Sequence, residues 1–121
     1  MKVQVFLEQK EVVSESNLRE VLNYRKDGKY GAFWLVEDMP ILALFINGEY
    51  SCLYYRPGSE EDKWSKNTTF YGDENDTIDF LIENYQCDDL PKEFVIPIKD
   101  GLEAFIYYYK SQSLSNKICW C

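Results

Sequence analysis

The residues with the greatest capacity for chemistry in this chain are its carboxylates. The 121 residues include 21 acidic and 13 basic side chains and no histidine, and the formal charge is −8. The lack of histidine excludes Ser-His-Asp and Cys-His catalysis, a histidine general base and histidine-ligated metals. Carboxylates can still pair with cations, ligate calcium or form an acid–base pair, and each use requires its own spacing.

The acidic excess is concentrated in one segment. Residues 57–93 hold eleven acids and three bases, a net charge of −8, whereas residues 1–56 carry −1 and residues 94–121 carry +1. Such a localised charge either recruits and holds a basic partner or forms a solvated surface that aids solubility. We expect no direct binding of nucleic acid, because that affinity comes mainly from Lys and Arg at phosphates.

Metal binding and catalysis find little support in the spacing of the carboxylates. One stretch alternates oxygen-bearing side chains in the manner of a calcium loop: Asp73, Asn75, Thr77 and Asp79. However, Ile78 lies where that loop requires glycine, and Asn84 lies where it requires a bidentate glutamate. There is also no P-loop, GxGxxG or GxSxG motif. We therefore expect no enzyme and no cofactor.

The cysteines and the apolar runs favour a cytoplasmic protein without a membrane segment. Apolar and polar residues alternate at the N-terminus as they do in a strand, and the apolar run there is too short and broken for a signal peptide. The apolar run at residues 41–46 is far shorter than the ~20 residues that span a bilayer. The four cysteines then correspond to reduced thiols: Cys52, Cys87, Cys119 and Cys121. They form no CxxC pair, which favours buried thiols over a zinc site.

Hydrophobic periodicity predicts one α+β domain over residues 1–121, with two amphipathic helices on a mainly antiparallel sheet of five to six strands. The first helix begins near Ser14 and lasts about three turns, and the second follows Pro97. Strands are predicted at 2–7, 32–36, 41–46, after Gly48, at 68–71 and at 77–83, with an edge strand at 117–121. Residues 11–13 either extend the first strand or begin another, and residues 84–93 form a loop.

Asn47-Gly48, between two apolar runs, is a strong signal for a two-residue hairpin turn. With these residues at the centre of the turn, Ile46 lies opposite Glu49. One face of the hairpin then carries Ile41, Ala43, Phe45, Tyr50, Cys52 and Tyr54. We expect that face to be the main core face.

A series of segments after residue 30 occurs in a recognisable order. They are Phe33-Trp34-Leu35, Leu44-Phe45-Ile46-Asn47-Gly48-Glu49, Leu53-Tyr54-Tyr55, Tyr71-Gly72-Asp73, Val95-Ile96-Pro97 before a helix, and Asn116-Lys117-Ile118-Cys119-Trp120. In these segments the chain resembles the first-numbered immunity family of bacterial polymorphic toxin systems. That family includes the protein that protects its producer from a double-stranded-DNA cytidine deaminase toxin. Residues before 30 match only in their strand-then-helix outline.

The resemblance implies a single immunity-like domain that binds a cognate toxin domain and neutralises it without chemistry. Because such toxins commonly act on nucleic acid, as deaminases or nucleases, their substrate clefts are basic, and an acidic segment can occlude such a cleft. We predict that six carboxylates steer and pair with the toxin, while two exposed aromatic side chains pack against it. The carboxylates are Glu60, Glu61, Asp62, Asp73, Glu74 and Asp76, and the aromatic residues are Trp64 and Tyr71.

Three other functions stay open. The chain could be an acidic mimic of nucleic acid that inhibits a restriction or repair enzyme, a general protein-interaction domain unrelated to toxins, or an enzyme that uses buried carboxylates. An upstream toxin gene favours immunity, and a deep pocket with two converging acids favours an enzyme.

Overall fold

A computed structural model describes residues 1–36, 39–69 and 75–121 of the chain. The strands in this part are β1 (Lys2–Val5), β2 (Glu8–Glu11), β3 (Tyr30–Leu35), β4 (Ile41–Asn47), β5 (Tyr50–Arg56), β6 (Lys63–Lys66), β7 (Thr77–Leu81), β8 (Cys87–Pro91), β9 (Ile96–Pro97) and β10 (Cys119–Trp120). The helices are α1 (Glu15–Val21) and α2 (Ile98–Ser111).

The strands form one antiparallel sheet of eight strands in the order β10-β6-β5-β4-β3-β1-β2, with β9 against β5. Strands β7 and β8 form a separate antiparallel hairpin. Both helices pack on the large sheet, so the α+β class is confirmed. The sheet is larger than predicted, because β2 and the short β9 add to it, whereas β10 corresponds to the edge strand predicted at 117–121.

Four predicted elements differ from the structure. The strand expected at 2–7 ends at Val5, and a second strand, β2, covers Glu8–Glu11 rather than residues 11–13. The strand expected at 68–71 is replaced by β6, with Thr68 and Thr69 in a turn, and Phe70 and Tyr71 lie outside the described residues. The loop expected at 84–93 contains β8, which pairs with β7. Helix α1 has only seven residues, or about two turns, and begins after Ser14, whose Oγ accepts a hydrogen bond from the Asn17 N–H at 3.1 Å.

The β4–β5 hairpin has a register that differs from the prediction by two residues. Asn47 pairs with Tyr50, so the turn is Gly48-Glu49 rather than Asn47-Gly48. Gly48, with φ of 59°, takes the first central position, where a type II′ turn requires glycine. A shift of two residues preserves the alternation of side chains, so the two faces of the hairpin keep the predicted membership.

Helix α2 covers the face of the hairpin opposite to the one that we expected to be the main core face. An added Cβ on Gly101 in α2 would lie 2.3 Å from the Ser51 Oγ and 3.0 Å from a methyl group of Leu44. The close approach of α2 to β4 and β5 therefore depends on glycine at this position. The face of the β4–β5 hairpin that we expected to be the main core face is also buried, because the β7–β8 hairpin lies against it.

Candidate functional site

The loop between β5 and β6 carries the first three predicted carboxylates. Glu60, Glu61 and Asp62 are all exposed. Asp62, however, accepts a hydrogen bond from the Tyr54 hydroxyl and lies 3.8 Å from the Arg56 guanidinium. The Arg56 Nε in turn donates to the Tyr54 oxygen at 3.0 Å. Glu60 and Glu61 are thus available to a partner, whereas Asp62 stabilises the end of β5.

Trp64 lies in β6 and is half-buried rather than exposed. Its ring stacks on Phe94, with 5.6 Å between centroids and 8° between planes, and contacts Tyr54 at 4.6 Å. Tyr54 also meets the ring of Trp34 edge to face. These contacts make Trp64 part of an aromatic cluster on the sheet, so the expectation that Trp64 is exposed is wrong, and its contact with a partner stays a prediction.

One of the remaining predicted residues directly precedes the β7–β8 hairpin, and the other three lie outside the part of the chain that the structure describes. Asp76 is exposed and lies directly before β7, and its carbonyl accepts the Lys92 N–H at 2.9 Å. Tyr71, Asp73 and Glu74 lie outside the described residues.

The β7–β8 hairpin carries further acidic residues that were not among the predicted partner-binding residues. Asp79 accepts a hydrogen bond from the Tyr30 hydroxyl at 2.5 Å, and its carbonyl accepts from the Asn47 side chain at 2.8 Å. The Tyr30 hydrogen bond lowers the pKa of Asp79. Asp89 is exposed and lies directly opposite Asp79 in the register. Two like charges at such a position repel each other, so a basic partner would stabilise the pair.

The acidic residues therefore form two separate groups. The loop group comprises Glu60, Glu61 and Asp62, and the hairpin group comprises Asp76, Asp79, Asp88 and Asp89. Asp62 contacts Arg56 at one end of β5, whereas Asp79 contacts Asn47, which pairs with Tyr50 at the other end. At about 3.3 Å per residue, the two ends of β5 are about 20 Å apart. Among the described residues of the segment, the loop group and the hairpin group do not form a single patch.

Protein-family models and curated proteins contain no match to this chain.

The described residues contain no group of three or more His, Cys, Asp or Glu side chains that could hold a metal ion. Cys52 is buried in β5, and loss of water around its sulfur raises the pKa of the thiol to about 12. Cys87, Cys119 and Cys121 are exposed. At neutral pH, the Cys52 thiol is therefore protonated and inert as a nucleophile.

Two surface cavities border the sheet at other places. One, of about 560 Å³, lies at the start of α2 and includes Tyr50, Lys92 and Lys99 in its lining. The other, of about 280 Å³, lies between β2 and α1 and includes Tyr24 and Tyr85. The lining of the smaller cavity also includes the carboxylates of Glu8 and Glu20 and the amine of Lys10. In the described part of the chain, no helix is both long and apolar enough to cross a bilayer.

Proposed function

We propose that this chain is a cytoplasmic immunity protein that binds a cognate toxin domain and occludes its basic, nucleic-acid-binding cleft. The observation that carries the proposal is the net charge of −8 in residues 57–93 of a chain whose other parts are nearly neutral. The resemblance of residues 30–121 to an immunity family points to the same partner. No chemical step by this chain is required.

The physical advantage of the charge is speed of capture. A field of one sign can raise the association rate of an oppositely charged protein by about 10- to 1,000-fold at low salt. A free toxin that acts on nucleic acid harms its producer, so rapid binding matters as much as tight binding. Four exposed carboxylates can contribute to such a field while keeping their positions in the fold: Glu60, Glu61, Asp76 and Asp89.

The two acidic groups lie near opposite ends of β5, which are about 20 Å apart, and this spacing suits a nucleic-acid cleft. DNA places one phosphate on each strand per ~3.4 Å of helix axis, so about 20 Å corresponds to roughly six phosphates. The loop group and the hairpin group can therefore face cationic side chains at two ends of such a cleft. This replaces the single acidic plug that the sequence suggested with two points of electrostatic contact.

Co-expression with the open reading frame immediately upstream tests the proposal. We expect that frame to encode a protein that stops growth, and we expect this chain to restore growth and to purify with that protein. The informative variant reverses Glu60 and Glu61 to lysine and leaves Asp62 intact, because Asp62 holds Tyr54 and Arg56. The matched control reverses the exposed Asp100 and Glu103 on α2, an equal change in charge.

The immunity proposal requires less protection from the Glu60/Glu61 variant than from the Asp100/Glu103 variant at equal expression. If no neighbouring gene product is toxic or binds the chain, the proposal is wrong. If the chain instead inhibits a restriction or repair enzyme, mimicry of nucleic acid is the better explanation of its charge.

A further inference from the structure

Strand β2 is the outer edge of the large sheet, and one row of its backbone groups faces away from β1. Met1 and Val12 exchange two backbone hydrogen bonds, Val12 N to Met1 O at 2.8 Å and Met1 N to Val12 O at 3.2 Å. Because successive residues alternate in direction along an antiparallel ladder, the even-numbered residues of β2 bond toward β1. The N–H and C=O groups of Gln9 and Glu11 therefore point away from the sheet, where the described residues place no further strand.

The direction of these groups limits how a second copy of the chain can pair with β2. In an antiparallel pair related by a twofold axis, residues with outward-facing groups must lie opposite each other. When Gln9 lies opposite Gln9 of the second copy, Glu8 lies opposite Lys10 and, by symmetry, Lys10 lies opposite Glu8. Leu7 then lies opposite Glu11. This register therefore forms two cross-strand pairs of opposite charge, which stabilise the ladder.

The other symmetric registers bring like charges together on the twofold axis. A pairing centred on Glu8, Lys10 or Glu11 would place that charged side chain directly opposite its own copy. Like charges at such positions destabilise the pairing. The charges that protect an edge strand against indiscriminate pairing thus select one symmetric register for β2, the register centred on Gln9.

Exposed apolar side chains are concentrated around this edge. The described residues include seven exposed large apolar side chains, and four of them flank β2 or line the cavity beside it. These four are Leu7 (64% exposed), Val13 (79%), Tyr24 (49%) and Tyr85 (39%). In the register centred on Gln9, Leu7 lies diagonally from Val13 of the second copy, within reach of apolar contact. Pairing of two copies therefore covers apolar surface that a single copy leaves in water.

The net charge of −8 opposes association of two copies, but its sources lie away from β2. The loop group lies beside β5, four strands from β2, and Asp79 of the hairpin group contacts β3 and β4, two and three strands from it. At about 4.8 Å per strand these separations are roughly 10–20 Å within one copy. The Debye length at about 0.15 M salt is about 8 Å, so most of this repulsion is screened.

We propose that β2 is a self-association edge, through which two copies of this chain pair antiparallel about a twofold axis at Gln9 and join their large sheets. Ion pairs between Glu8 and Lys10 and backbone hydrogen bonds of Gln9 hold the two copies together. Because β2 has only four residues, the interface is small, and we expect a dissociation constant on the order of 0.1 mM. The dimer does not rest on the proposed function, because the loop group lies at a distant strand and stays accessible to a toxin.

Sedimentation equilibrium of the full chain, from about 10 µM to about 1 mM, tests the self-association. A reducing buffer prevents disulfides between copies through the exposed Cys87, Cys119 and Cys121. We expect the average mass to rise from that of the monomer toward twice that value. Over the same range, concentration-dependent NMR shifts should be concentrated in residues 7–13. A chain that stays monomeric at the highest concentration would overturn the proposal.

An exchange of charges between two variants tests the register. Glu8→Lys places lysines opposite each other and Lys10→Glu places glutamates opposite each other, so each variant alone should dimerise at least about tenfold more weakly. A mixture of the two variants restores both pairs of opposite charge only when position 8 lies opposite position 10. We therefore expect mixed dimers at least as stable as the wild-type dimer, measured with one variant isotope-labelled.

The matched control mixes Lys10→Glu with Glu11→Lys, which carries the same change in charge as Glu8→Lys. In the proposed register this mixture keeps one pair of opposed glutamates, so it should form fewer mixed dimers. Equal formation of mixed dimers in the two mixtures would overturn the register centred on Gln9.

Gln9→Pro tests strand pairing separately from charge. The Gln9 N–H faces away from β1, so proline removes no hydrogen bond of the monomer and suits an edge strand. It does remove the donor that Gln9 contributes across the axis, and the dimer should weaken at least about tenfold. Gln9→Ala is the matched control, because it keeps the N–H and should dimerise as wild type does. Urea unfolding checks that both variants are folded, and equal dimerisation of the two would overturn the strand pairing.

Discussion

The acidic segment and the β2 edge differ in what they offer a partner. The acidic segment, residues 57–93, has most of the charge, but its Trp64 ring packs against Tyr54 and Phe94 within the fold. The β2 edge carries little net charge, but it exposes apolar side chains and free backbone groups. Charge acts over about 10 Å at moderate salt, whereas apolar burial and strand pairing act only on contact.

This difference suggests a division between capture of a toxin and association of two copies. A partner attracted by the loop and hairpin groups would associate faster, but exposed ion pairs contribute little to the affinity of the final complex. Contacts that exclude water and satisfy backbone groups mainly lower the dissociation rate. The acidic groups are therefore expected to set the rate of toxin association, whereas the β2 edge sets the lifetime of the dimer.

The largest expected effect contrasts Trp64 with Tyr24. Trp64→Ala removes a half-buried stacked ring and should lower the free energy of unfolding by about 2–3 kcal/mol. Tyr24→Ala should lower it by under about 1 kcal/mol, because its ring is half exposed. Urea unfolding of both variants measures the difference. A stable Trp64 variant would restore Trp64 as a candidate anchor for a partner.

A smaller effect separates two neighbouring acids of the loop group. Asp62→Asn weakens the contacts with the Tyr54 hydroxyl and the Arg56 guanidinium, so it should lower the free energy of unfolding by about 1 kcal/mol. Glu60→Gln should change it by less than about 0.5 kcal/mol. Thermal or urea unfolding at neutral pH provides the measurement. Equal effects would mean that Asp62 is as available to a partner as Glu60.

The smallest effect concerns the pH dependence of the hairpin group. Tyr30→Phe removes the hydroxyl that lowers the pKa of Asp79, so that pKa should rise toward its ordinary value. A lowered folded-state pKa stabilises the fold above the unfolded value of about 3.9, and the stabilisation is lost as pH falls through the folded value. The stability difference between wild type and variant should thus shrink in acid. NMR titration of the Asp79 carboxyl checks the cause, and an unchanged pKa would exclude it.

Hydrophobic patterns within short stretches of sequence correctly predicted the elements whose burial depends on their own residues. The apolar stripe of α2 and the continuous apolar run of β4 correspond to buried elements. The turn after β4 was wrong by one position because Asn47 has a long-range partner, the Asp79 carbonyl, that keeps it in the strand. No feature of residues 44–49 alone indicates that contact.

The site was less predictable than the fold because its key contacts join distant residues. The stacking of Trp64 on Phe94 connects positions 30 residues apart and converts an expected anchor into part of the fold. Strand β8 contains two aspartates and a proline, which disfavour strands, and it forms through pairing with β7. The edge position of β2 likewise depends on the order of strands across the sheet.

The kinetics of association with the toxin expressed from the upstream gene test the central claim most directly. Reversal of Glu60 and Glu61 to lysine should slow association severalfold at about 0.02 M salt, and this deficit should vanish near 0.5 M salt. Gln9→Pro in β2 should instead leave this association rate unchanged, because it alters no charge. An association rate that is the same for wild type and the charge-reversed variant at low salt would contradict the account.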